Sequence, residues 1–167
     1  MLQGSALAAT LELLRALSQL NAAGLEFETL LEALFNTVSG SAGSTLLAMR
    51  GSHIVCDTLY ATPHVLSRTR VPSGERAAQA NVARCVAALC AHATSAQRQS
   101  LLTQLLTPSN DVEGTARHLQ LLCVGEIGRL HDVYATHNNC FDTLYAAFTS
   151  SNEAVKSAAA FALGKQV

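Results

Sequence analysis

Three features of the 167-residue sequence predict an all-α fold, a short solenoid of helical hairpins. Ala and Leu together make up roughly a third of the chain and head the helix-propensity ranking. Apolar residues recur with a period of about 3.6 through most of the length. The last third repeats an earlier stretch at an offset of about 39 residues, which is the spacing of a two-helix repeat unit.

The elements follow in order. Ser5–Leu20 is the first helix, with Ser5 as its expected N-cap. Leu7, Leu11, Leu13, Leu14, Leu17 and Leu20 fill about half its circumference, a stripe wider than one amphipathic face and suited to several neighbours at once. Residues 21–24 form a turn. Residues 25–38 form the second helix, with Phe27, Leu30, Leu31, Leu34, Phe35 and Val38 on one face. The pattern then breaks. Residues 39–72 hold a Gly/Ser-rich run, Pro63 and Pro72 and no clear period, and read as a long insertion loop. Within it a short strand or a short helix over 54–60 is open, and Leu46, Leu47 and Met49 either stand exposed or fold back on the solenoid edge.

Regularity returns at Ser73. Helices are expected over 77–93, 96–106, 111–129, 138–149 and 152–166. The fifth is weakened by Gly114 and ends near Gly125 and Gly128, while the sixth carries Phe141, Leu144, Tyr145 and Phe148 at helical spacing. Paired up, these give about three hairpins plus one leading helix, in a single segment over 1–167.

The repeat rests on particular residues. Val155-Lys156 matches Ala116-Arg117, and Gly164 matches Gly125. A looser copy ends at Cys90. The final unit, with Val155-Lys156, Ala158-Ala159 and Ala162-Leu163-Gly164, resembles the HEAT consensus. Small residues on its second helix let neighbouring backbones approach.

Charge and composition exclude several function classes. Charged residues are 14% of the chain against 49% apolar, which argues against disorder. A net charge of -1 and a pI near 6.6 give no electrostatic footprint for nucleic acid. No stretch approaches the ~18 apolar residues of a membrane span, and Glu12 and Arg15 interrupt the first helix where a secretory signal would be unbroken. The chain therefore reads as soluble and intracellular. Its five cysteines, Cys56, Cys85, Cys90, Cys123 and Cys140, are odd in number and read as reduced, small core residues.

Neither Cys85, Cys90 and His92 nor His137 and Cys140 has zinc-ligand spacing. His92, His118 and His131 stand as candidate partners for a catalytic thiol, but no nucleophile signature accompanies them. Gly125 and Gly128 follow no strand, so they are expected to close a helix rather than cradle phosphate. No enzyme activity, cofactor or metal is expected. Arg84, Arg117 and Lys156 recur near equivalent repeat positions. They form either solvated and inter-repeat positions or a ladder of basic partner contacts along one face. Glu126, Arg129 and Asp132 form a charged cluster at a helix end and are the other candidate contacts.

Three runs carry a closer resemblance: Ala83-Arg84-Cys85-Val86-Ala87-Ala88-Leu89, Leu121-Leu122-Cys123-Val124-Gly125-Glu126-Ile127-Gly128, and residues 153–164. With Leu2-Gln3-Gly4-Ser5-Ala6-Leu7 and Leu30-Leu31, they resemble, in order, segments of the cullin-associated and neddylation-dissociated proteins. That family is a much longer solenoid. The resemblance implies a fragment, split subunit or shortened relative, with 39–72 longer than the family's connection. It also implies a non-enzymatic regulator that wraps unneddylated cullin–RING ubiquitin ligase scaffolds and exchanges their adaptors in cytoplasm or nucleus. The adaptor-displacing tip of the family lies further along than this segment. A transport-receptor or phosphatase-scaffold type of HEAT adaptor is the alternative. Uncapped solenoid ends make self-association a further expectation.

Overall fold

The computed structural model describes residues 4–20, 25–37, 73–107 and 114–164. Among these it is all-helical: α1 (Ser5–Leu20), α2 (Phe27–Asn36), α3 (Ser73–Cys90), α4 (Ser95–Leu106), α5 (Thr115–Gly128), α6 (Val133–Thr136), α7 (Cys140–Phe148) and α8 (Glu153–Leu163). No described helix is long and apolar enough to cross a membrane. The insertion loop expected over 39–72, with Cys56, lies outside the described residues.

The helices form two layers. α1, α3, α5 and α8 pack each on the next, and α2, α4 and α7 pack on α3, α5 and α8 respectively. These contacts pair α2 with α3, α4 with α5 and α7 with α8, led by α1. Among the described residues this is a HEAT-type α-solenoid of three hairpins and a leading helix.

Local chemistry sets the helix ends. At α4 the Thr94 hydroxyl accepts from the Gln97 N–H, and the Gln97 amide oxygen accepts from the Thr94 N–H. The reciprocal pair satisfies two donors that a helix start leaves orphaned. Asn152 opens α8 by accepting from the N–H groups of Ala154 and Val155. At α1 the expected cap is displaced by one residue. The Gly4 carbonyl accepts the first helical bond, from Ala8 N–H at 3.1 Å, and Gly4 has φ +57°. Ser5 is therefore already inside the helix, and glycine holds the left-handed turn that other residues resist.

The core runs along α3, α5 and α8. Leu89, Leu119, Leu121, Val124, Ile127 and Ala159 are fully buried. Burying one Leu or Ile stabilises by about 1.5–3 kcal/mol. A satellite cluster of Leu14, Cys85 and Leu89 joins α1 to α3, with Phe27 and Leu34 of α2 packed against it.

Three expectations change. The broad Leu stripe of α1 is only partly used, since Leu14 alone is buried. The apolar face of α7 divides: Leu144 is buried, whereas Phe141, Tyr145 and Phe148 stand exposed. α5 closes at Gly128, as expected, but Gly125 lies inside the helix and not at its end. A Cβ on Gly125 would lie 2.8 Å from two ring carbons of Phe161 and 3.0 Å from the Cα of Ala162. Gly125 is the point where α8 closes on α5, and its missing side chain sets that spacing. α6 was not anticipated; Asp132, whose Oδ1 accepts from Ala135 N–H, nucleates it.

Filling this contact should loosen the stack. We expect Gly125→Leu to lower unfolding stability in urea by about 1–3 kcal/mol, because overpacking forces backbone apart. Gly164→Ala, which meets only ordinary contacts on its own helix, should change it by less than about 0.5 kcal/mol.

Candidate functional site: a groove across three second helices

A depression of about 270 Å³ crosses the second-helix layer. Ala83 and Arg84 line it from α3, His118, Leu122 and Glu126 from α5, and Ser157 and Phe161 from α8. Ala83, Leu122 and Phe161 stand 39 residues apart on successive second helices. The groove is thus the repeat made into a surface, with a side chain that grows from Ala to Leu to Phe along it.

One wall is a buried polar network. His118 Nδ1 lies 2.6 Å from Gln79 Oε1, 39 residues away. The Gln79 amide nitrogen donates to the Thr115 carbonyl at 3.3 Å. The Gln79 oxygen must therefore accept, which makes Nδ1 the protonated nitrogen of His118. Burial, and then the charge of Arg76, hold the His118 imidazolium pKa below its ordinary value.

The other wall is ionic. Glu126 Oε1 meets Arg84 Nε at 3.5 Å and Oε2 meets Arg129 Nη1 at 3.0 Å. The carboxylate side chain is 10% exposed, against 47% and 52% for the two arginines. One nearly buried acid thus orients two guanidiniums from different helices and leaves a net positive rim.

The candidate contacts separate on this frame. Arg84, Glu126 and Arg129 come together. Asp132 serves as the cap of α6. Lys156 pairs with Glu153 on its own helix at 2.7 Å and keeps an exposed stem. Arg117 is drawn inside: its Nη1 donates to the Leu105 carbonyl at 3.2 Å and to Gln120 Oε1 at 3.0 Å. A basic ladder through Arg84, Arg117 and Lys156 is therefore not a surface feature; its middle rung ties α5 to α4. Sequence reasoning missed Gln79 and Phe161. The signal available for both was the same offset that revealed the repeat, applied to residues other than the charged ones.

The thiols lie in the packed layers. Cys85, Cys90, Cys123 and Cys140 are free and buried. Burial pushes the Cys90 thiol up to about 12 and that of Cys140 up to about 11, and it raises Cys85 and Cys123 as well. A thiol so shifted carries almost no thiolate at neutral pH and is a poor nucleophile.

Two outcomes follow. In a Cys56→Ser variant, iodoacetamide should leave the native chain unlabelled and modify all four remaining cysteines once it is denatured. The second concerns pH. His118 is neutral in the fold, whereas the unfolded chain takes up its proton as pH falls through about 6.5. Its share of the stability is complete above that pH and is lost as pH falls toward the lower folded value. His118→Gln should flatten the acid side of a stability–pH curve.

No protein-family model matches the chain. Over 164 residues, 98% of its length, it is 27% identical to the cullin-associated NEDD8-dissociated protein 1 of Dictyostelium discoideum and 30% identical to that of Drosophila melanogaster. It is 39% identical to the Arabidopsis thaliana protein over 87 residues, 50% of the chain. The matched stretches span 11%, 12% and 7% of those relatives' own lengths. Nearly the whole chain is therefore similar to a short stretch of the cullin-associated NEDD8-dissociated proteins.

Proposed function

We propose that this chain is a non-enzymatic interaction scaffold that binds cullin–RING ubiquitin ligase cores in their unneddylated form. It would act in the cytoplasm or nucleus as part of a regulator that promotes adaptor exchange. The observation that carries this reading is similarity over 98% of the chain to proteins named for cullin association.

The geometry supports a steric mode of action. A partner segment laid along the groove would meet three second helices at once, as repeat proteins bind through surfaces built from successive units. The contact residues we propose are Arg84 and Arg129, with Glu126 as the acid that orients them and Lys156 and Asp132 at the margins. Arg84 and Arg129 keep exposed N–H groups beyond those spent on Glu126, suited to carboxylates or backbone carbonyls of a partner.

The test is co-elution of the chain with an unmodified cullin–RING core and with its neddylated form. Binding to the unmodified core alone is the expected result. Arg84→Gln with Arg129→Gln, which remove the charges without adding repulsion against Glu126, should weaken it by about tenfold or more, with circular dichroism and thermal unfolding run beside it to separate lost contact from lost fold. Failure of the folded chain to bind either form would overturn the reading.

A further inference from the structure

The groove presents three kinds of chemistry in a row. His118, Leu122 and Glu126 stand four residues apart on α5 and all line it. They share one face of the helix, about 6 Å between neighbours and about 12 Å in all. α3 runs beside α5 in the same direction. Gln79 meets Thr115 and His118, and Arg84, further along α3, meets Glu126. Each repeat unit contacts only its neighbours in the row, so further units would stack beside α1 or α8 and would not lie over α5.

At the first position stands an acceptor. His118 Nδ1 is spent on Gln79, so Nε2 carries the lone pair. The residue is 5% exposed, and Nε2 bonds to no described residue. A buried polar atom is normally partnered, and this one belongs to a ring that lines the groove. At the second position Leu122 and Phe161 offer half-buried apolar surface, and Ala83 leaves room beside them. At the third, Arg84 and Arg129 bring two positive charges to the single carboxylate of Glu126. The order is acceptor, apolar surface, cation.

We propose that the groove takes an extended acidic protein segment. Its alternate residues present a hydrogen-bond donor to His118 Nε2, an apolar side chain to Leu122 and Phe161, and a carboxylate to Arg84 and Arg129. The spacing fits, because two residues of extended chain advance about 6.6 Å. A depression of about 270 Å³ drawn out along α5 admits one line of side chains and not a helix 10–12 Å across. The charge is complementary, since the acid of the segment meets the unspent positive charge of the rim. The proposal rests on the groove being the interaction face and specifies what that face reads.

Selection of a random peptide library against the full chain tests it. The expected binders carry Asp or Glu two positions from an aliphatic or aromatic residue, with Ser, Thr, Asn or Gln two positions beyond that residue. For a selected peptide, exchanging the carboxylate for its amide should weaken binding to the wild-type chain by about tenfold. Against the chain with Arg84→Gln and Arg129→Gln the same exchange should cost less than about threefold, the non-additivity that marks a direct contact. Should that double variant bind no peptide, Arg84→Gln alone carries the comparison. Enrichment of basic peptides would overturn the proposal. So would no enrichment, or a carboxylate whose loss costs the same on wild-type and variant chains. Peptides that meet these terms, beside a cullin–RING core that does not bind, would leave the proposal standing and overturn the ligase reading. A core that binds where no acidic peptide is enriched would do the reverse.

Discussion

The contact at Gly125 holds the segment in register. A helix interior normally disfavours glycine by about 1 kcal/mol relative to Ala, yet here the absent side chain admits the Phe161 ring and the backbone of Ala162. That approach seals one side of α5, while α3 and α4 cover the rest. Once α5 is enclosed, the layer on either side of it has a fixed spacing. The groove, which is built from α3, α5 and α8 together, inherits its width from that spacing.

Enclosure imposes a second demand. α5 carries Arg117, His118, Gln120 and Glu126 into the interior, and buried polar groups are costly unless they are bonded. Each has partners. Arg117 reaches Gln120 and the end of α4, His118 reaches Gln79, and Glu126 gathers Arg84 and Arg129. These bonds run between helices as well as along them, so they fix how α3, α4 and α5 are aligned rather than adding bulk cohesion. The charged rim of the groove is a product of the same arrangement. Glu126 is oriented by packing, and the arginines by Glu126.

The first-helix layer contrasts with this closed middle. The side chains at the Leu102 and Leu106 positions of α4 are buried, whereas Phe141 and Tyr145, one unit later on α7, are more than half exposed and stacked on each other at 6.1 Å. Both pairs are large side chains at helical spacing, so the pattern alone does not set the difference. Solenoid units cannot bury every apolar face alone, so an apolar stripe is covered only where another helix packs on it.

The sequence by itself determined the helices, their pairing and the repeat, because helical periodicity and an offset of about 39 residues are local or one-dimensional signals. Burial of Cys90 and Cys123 was legible for the same reason, and the similarity to cullin-associated relatives rests on runs of adjacent residues. Tertiary structure alone decided which members of an apolar stripe are used. Leu14 is covered while Leu13 is not, and Leu144 is covered while Phe141 and Tyr145 are not, since periodicity marks a face and only a neighbour buries it. It also turned Gly125 from a helix stop into a packing site and took Arg117 off the surface. A chain written in one dimension records that Arg84, Arg117 and Lys156 recur; which of them meets solvent depends on helices brought together from distant parts of the chain.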